Sequence, residues 1–384
     1  MPMNIDELLT KSVEAGASDL HLKVGSYPVV RIDGTLSFLP DENKLIPEDL
    51  QHIAATVLSE NQYQVFKRKY ELDIAYSVAG LGRFRCNIFM QRGTIALAFR
   101  VIPIKILDME QLHLPLVLRE IALEPRGLIL VTGTTGSGKS TTLATMIDYI
   151  NQKRTEHIMT IEDPIEFLHR DKSSIINQRE VGDDTESFSK ALRSAMRQDP
   201  DIILVGEMRD FETINTALIA AETGHLVLST LHTVDATETV NRIISVFPPY
   251  QHKQVRVALA SVLRAIISMR LLPRIDEKGR VPAIEIMRVT GAISECIEDP
   301  DRTKMIPDFI RRGYTQYGMQ TFDQSLFFLY KEGFISYEEA MRRATRPDDF
   351  ALKVKGVQST QEIREEEEEA IKDKDEPKIQ RFSK

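Results

Sequence analysis

The chain is short of cysteine, of long apolar runs and of positive charge, and each shortage removes a class of function. Cys86 and Cys296 are the only cysteines among 384 residues. They stand far apart with no C-x-x-C pair, so neither a disulfide framework nor a zinc site is supported, and both are expected to be buried bystanders. No apolar run approaches the roughly 18 residues that cross a bilayer, so no membrane span is expected. The first residues, MPMNIDELLTKS, mix acids with apolar positions and lack the basic start and apolar centre of a secretory signal, which makes a cytoplasmic chain the expectation. The formal net charge of -8 argues against a nucleic-acid partner, because a hold on a phosphate backbone needs a positive field. A basic channel can still sit inside an acidic total, so a nucleic-acid translocase stays as an alternative.

What is present is 42% hydrophobic and 28% charged residues, a globular composition, in a chain too long for one typical core. In NIDELLTKSVEAG, Ile5, Leu8, Leu9 and Val13 recur at helical spacing and Gly16 supplies a stop. DLHLKV, PVVRIDGTL with its Asp33-Gly34 turn, and GRFRCNIFMQRGTIALAFRVIP around Arg92-Gly93 read as strands. Residues 1–103 therefore form a small α+β domain, and 104–125, with Pro115 and Pro125, a linker. From 126 to 350 the grammar changes. LILVT, HIMTIED, DIILVGE and HLVLST alternate with helices after Gly138, near 185–197 and near 211–222. That alternation predicts an α/β core with a mainly parallel sheet covered on both faces. After Pro248-Pro249 a helical C-terminal lobe is expected, with QVRVALASVLRAIISMRLL as one long helix and FDQSLFFLYKEGF as another. Residues 351–384, with an acidic run from Glu365 to Glu369, read as a charged tail, disordered or a lone solvated helix. No internal repeat is apparent.

The chemistry sits in four places. LILVTGTTGSGKST places Gly133, Thr134, Thr135, Gly136, Ser137, Gly138, Lys139, Ser140 and Thr141 between a strand and a helix, which fits G-x-x-x-x-G-K-[ST] in the setting the motif requires. Its glycines let successive N–H groups face a phosphate and the helix N-terminus adds its dipole. Lys139 bridges β- and γ-oxygens and Ser140 ligates Mg2+. DIILVGEMRD puts Glu207 at the carboxyl end of a strand, where it can hold a water of the metal. TIEDPIEF gathers Glu162, Asp163 and Glu166 just past another strand, and one of these acids is a candidate for the water-activating base. GHLVLSTLHT sets Thr230, His232 and Thr233 beyond the carboxyl end of a strand and His225 at its start. His232 is the candidate γ-phosphate sensor. Arg83 and Arg85 lie two apart on a strand and share a face opposite Phe84 and Cys86. Arginine stabilises charge on a transferred phosphoryl group in cis or in trans, so this pair, Arg100 and Arg209 are candidates for that role.

VTGTTGSGKST, TIEDPIEF, DPDIILVGEMRDFETI and AAETGHLVLSTLHT, in this order, resemble the Walker A, Asp, Walker B and His boxes of the secretion ATPases. Within them the chain is similar to the PilT/PilU-type type IV pilus retraction ATPases, over about residues 4–350. The resemblance implies a RecA-like P-loop ATPase core with a helical C-terminal lobe, preceded by a smaller PAS-like α+β domain. It implies ATP and Mg2+ as ligands, Glu166 as the base, Glu207 as the Walker B glutamate, and Arg83, Arg85 and Arg100 as arginines offered to the nucleotide. It implies motion by rotation of one domain against the other. The implied partners are a homohexamer, or one mixed with a paralogous retraction ATPase, and an inner-membrane pilus platform protein. The implied place is the cytoplasmic face of that membrane, and the acidic total leaves no nucleic acid among the expected partners. Where retraction motors carry AIRNLI, TGAISECIED keeps Ala292, Ile293 and Ile297 but has Ser294, Glu295 and Cys296 at the other positions. That departure favours an accessory or paralogous motor. Other secretion-system ATPases and a nucleotide-gated assembly factor are the remaining alternatives.

Overall fold

The computed structural model describes residues 3–32, 34–39, 42–102, 106–276 and 279–356. Six strands near the N-terminus, β1 (Asp19–Lys23), β2 (Val29–Ile32), β3 (Thr35–Phe38), β4 (Glu71–Val78), β5 (Gly82–Gln91) and β6 (Thr94–Ile102), form a sheet in the order β3-β2-β1-β6-β5-β4. Every neighbouring pair is antiparallel. The helix Ile5–Glu14 forms as its spacing predicts: Ile5, Leu8 and Leu9 are buried and the Asn4 side chain accepts the Asp6 N–H at 3.0 Å. Ser12 rather than Val13 completes the buried stripe, its hydroxyl donating to Leu8 O at 2.7 Å. Two helices without a counterpart in the sequence reading, Pro47–Val57 and Glu60–Lys69, contribute Leu50, Ile53 and Phe66 to the same core as Phe84, Cys86, Ile88 and Phe99. Asp33 of the expected turn and Pro103 at the expected boundary lie outside the described residues.

Seven further strands are β7 (Gly127–Thr132), β8 (His157–Glu162), β9 (Ile175–Glu180), β10 (Ile202–Val205), β11 (Leu226–Leu231), β12 (Leu263–Pro273) and β13 (Arg280–Arg288). They make a mixed, mostly parallel sheet in the order β13-β12-β7-β11-β10-β8-β9. The chain divides into two compact units: one holds the residues through Met109 with Ala122–Gly127 and Ser140–Ser229, the other Glu110–Ile121, Leu128–Lys139 and the chain from Thr230 onward. In the first, β8 pairs in parallel with β9 and β10, and β10 with β11. The helices Phe188–Ala195 and Phe211–Glu222 stand where the alternation predicts them.

In the second unit the expected long helix is corrected. Helix His252–Val262 ends and the chain continues straight into strand β12, parallel to β7 and antiparallel to β13. Leu263, Ala265, Ile266 and Ile267 are buried between strands on both edges, so the run is apolar on both faces and carries no period. The C-terminal lobe is thus helices on a two-stranded extension of the sheet. Helix Phe322–Lys331 forms as expected. A last helix, Pro347–Val354, buries Phe350 and takes in the first residues of the expected charged tail 351–384, of which residues 357–384, with the acidic run, lie outside the described residues.

Candidate functional site

The phosphate loop leaves β7, whose six residues are all buried, and enters the helix Lys139–Lys153. Gly133, Gly136 and Gly138 have φ of 140, 77 and 99°, conformations that a side chain at Cβ disfavours. At Gly133 the need is also steric. A Cβ there would lie 2.5 Å from both Met269 O and Ser137 Oγ. The Lys139 ammonium turns back over its own loop and donates to Gly133 O at 2.8 Å and Thr134 O at 3.2 Å. Ser137 Oγ is buried and has no hydrogen-bond partner among the described residues. A buried orphan hydroxyl, an ammonium held at the loop and left-handed glycines are what a polyphosphate would satisfy, so the residues fit a nucleotide. Thr134, Thr135 and Gly136 are exposed, and Ser140 and Thr141, in the first helical turn, are half-buried.

The carboxylates of TIEDPIEF lie past β8 and differ sharply in their surroundings. Glu162 Oε1 accepts from Thr160 Oγ1 at 2.7 Å and from Gln178 Nε2 at 3.2 Å, while Oε2 accepts the Glu166 N–H at 3.4 Å. Burial pushes its carboxyl up, against the lowering effect of these donors. Glu162 is thus consumed in holding the loop. Asp163 and Glu166 are exposed. Strand β9 braces the same loop a second time, since Glu180 Oε2 accepts the Ile165 N–H at 3.1 Å. Gln178 and Glu180 were not singled out in the sequence, where INQRE carries no motif and no apolar alternation marks the strand.

Glu207 follows β10 by two residues, and its carboxylate is met by Arg209 Nε at 2.7 Å. Gly206 just before it is required by close approach. Its N–H donates to Ile161 O at 2.7 Å, and a Cβ would come 3.1 Å from that oxygen and 3.3 Å from Glu162 Cα.

His232 is exposed directly after β11, and Leu231 O accepts the Gly133 N–H at 3.3 Å, so the histidine segment starts beside the phosphate loop. Thr230, expected past the strand, is instead its buried fifth residue. His225 sits at the other end of β11 with Nδ1 2.9 Å from Ala220 O, a helix-end contact.

The three sheet arginines are each held by a carboxylate of this chain. Phe84 and Cys86 are buried, Arg83 and Arg85 point to the opposite face, and Arg100 is the register partner of Arg85. Arg83 Nη2 donates to Glu180 Oε2 at 2.9 Å, the oxygen that also takes the Ile165 N–H. Arg85 faces Asp73 at 3.6 Å, and Arg100 Nε donates to Asp19 at 2.8 Å. Burial pushes the Asp19 carboxyl up, but the Ser18 hydroxyl and the Arg100 guanidinium reverse this and hold it below the usual aspartate value.

Residues 92–368 match the family model of the type II/IV secretion system proteins. The chain is 47% identical over 351 residues to the type IV pilus retraction ATPase PilT of Pseudomonas aeruginosa, covering 91% of this chain and all of that one. It is 40% identical to the type IV pilus ATPase PilU of the same organism, with 92% of each chain covered. The crystal structure of the pilus retraction motor PilT with bound ADP superposes with a TM-score of 0.83 at 49% identity, over 90% of this chain and 98% of that one. The phosphate loop, its flanking strand and helix and these likenesses agree, and the chain belongs to the type II/IV secretion system protein family, as a secretion ATPase of the PilT/PilU pilus-retraction type.

Proposed function

We propose that the protein is an ATP-driven motor of type IV pilus retraction that works as a hexamer, alone or mixed with a paralogous retraction ATPase, on an inner-membrane platform protein at the cytoplasmic face. The observation that carries this reading is the complete phosphate loop with a buried Ser137 hydroxyl that has no partner among the described residues, in a chain that matches a retraction motor along nine-tenths of its length. Residues 1–103 act as the PAS-like domain and 126–350 as the ATPase domain.

The loop from Gly133 to Thr141 holds the phosphates of ATP through its amides, and Lys139 exchanges its two loop carbonyls for β- and γ-oxygens. Ser140 and, through water, Glu207 would hold Mg2+, which when bound neutralises charge on the phosphates. Glu166 accepts the proton of the attacking water while its oxygen bonds to the γ-phosphorus and the bond to the β–γ bridging oxygen breaks, giving ADP and phosphate. Its exposure supports this role, because Glu162 already accepts three hydrogen bonds. His232 senses the γ-phosphate. Arg83, Arg85 and Arg100 add positive charge at the transferred group, for which Arg83 must leave Glu180.

The departure at Ser294, Glu295 and Cys296 lies on the helix Gly291–Glu298, where Cys296 is buried and Glu295 pairs with Arg302 at 2.6 Å. It supports an accessory or paralogous role within the retraction machinery. The test of the chemistry is Glu166→Gln in the full chain. Binding of a fluorescent ATP analogue should persist while turnover falls about 10²- to 10⁴-fold; turnover at the wild-type rate would move the base to Asp163 or Glu162.

A further inference from the structure

Three buried polar residues line up across three adjacent strands. Thr132 of β7 is in register with Ser268 of β12, and Ser268 with Glu285 of β13. All three are buried, and Thr132 Oγ1 donates to Ser268 Oγ at 3.0 Å. One end of this row abuts Gly133, the first residue of the phosphate loop. At the other end stands a carboxylate only 7% exposed among Ala283, Ile284, Ile286 and Met287, none of which is exposed at all. A buried carboxylate in such a strand is costly unless something needs it.

What it meets is the backbone of the helix Ala236–Ser245. Glu285 Oε1 accepts the Ala236 N–H at 2.9 Å. The N–H groups of a first helical turn have no partner inside the helix. The Asp235 side chain takes that of Glu238 at 2.7 Å and Glu285 takes that of Ala236. The segment from Leu231 to Asp235 is therefore fastened at its start by Gly133 N–H on Leu231 O and at its end by Glu285 on Ala236, and between them Thr233 Oγ1 lies 2.6 Å from Thr239 Oγ1 and Glu238 Oε2 accepts the Val234 N–H at 2.9 Å. His232 is the second residue of that five-residue span.

We propose that Glu285 is a positioning residue for ATP turnover: by fixing the entry to the helix Ala236–Ser245 it holds the short span bearing His232 against the phosphate loop. The inference rests on the reading of His232 as the γ-phosphate sensor. Since Glu285 acts through the Ala236 N–H and not through residues 133–141, its loss should weaken discrimination of triphosphate from diphosphate and lower kcat, while leaving the hold of the loop on ADP unchanged.

The experiment uses the full chain and its Glu285→Ala, Glu285→Gln and His232→Ala variants, with fluorescent ADP and a non-hydrolysable triphosphate analogue as probes and steady-state ATP turnover alongside. Loss of one hydrogen bond to a charged group predicts that Glu285→Ala lowers both the preference for triphosphate and kcat about tenfold, with ADP affinity unchanged. Glu285→Gln keeps an acceptor oxygen and should retain both. Should Glu285→Ala not fold, Glu285→Asp, which withdraws the carboxylate by one methylene, is held to the same expectation. A folded Ala or Asp variant that keeps full preference and kcat overturns the proposal, as does a Gln variant as impaired as Ala. If His232→Ala also keeps the preference, the sensor reading itself has failed; if it loses the preference and Glu285→Ala does not, only the inference about Glu285 has.

Discussion

A carboxyl in an apolar strand has a thermodynamic signature as well as a structural one. Burial pushes Glu285 from the ordinary 4.5 up to about 7, helped by Asp235 and Asp323 and opposed by the Ala236 N–H and Arg270. A carboxyl whose folded pKa lies above its unfolded value keeps its proton longer in the native state. Its ionisation therefore costs stability as pH rises from about 4.5 to about 7, and the cost is complete above that. The span corresponds to roughly 3 kcal/mol. Glu285→Gln removes that ionisation while keeping the acceptor. We expect its thermal midpoint to match wild type near pH 4 and to exceed it increasingly up to pH 8, read by circular dichroism melts. A constant difference across that range would refute the assigned pKa. At the same scale, Glu162 and Glu166 are acids of one type four residues apart, and their separation into a loop brace and an exposed carboxylate follows from Thr160, Gln178 and the Glu166 amide, which no spacing in the sequence predicts.

At the scale of elements, β12 is the instructive case. Ile267 is in register with Val131 on one side and Ile286 on the other and is fully buried. Ile267→Ala should cost about 2–5 kcal/mol in urea unfolding, whereas Val257→Ala, on the half-exposed helix just before it, should stay within about 0.5 kcal/mol. Equal costs would contradict the switch from helix to strand at Leu263. The same run shows where legibility stops. Strands β7, β8, β10 and β11 were readable because each is a short apolar run bounded by turn or helix signals. In LRAIISMRLL the apolar residues continue a helix without a break, and a strand buried on both faces has no period to separate it from a buried helix. The phosphate loop was legible because its chemistry demands residue types at fixed spacing. Glu180 was not: its importance comes from Arg83 and Ile165 meeting one oxygen, and they lie 97 and 15 residues away in sequence.

For the molecule as a whole, the paired identities of 47% to PilT and 40% to PilU leave the family plain and the division of labour to experiment. In a bacterium with a second retraction ATPase, deletion of this gene should leave surface pilus number near wild type, and deletion of both should give excess filaments without twitching, counted by electron microscopy. Excess filaments from the single deletion would assign the principal role to this chain. No helix among the described residues is long and apolar enough to cross a membrane.

The two native thiols bear on how such a motor can be watched. Cys86 and Cys296 are both fully covered, and burial pushes each thiol up, leaving little reactive thiolate at neutral pH. A maleimide dye introduced through one added surface cysteine would therefore label a single chosen point in an otherwise unaltered background. Optical records of that labelled point during turnover would then need no sulfur-free variant.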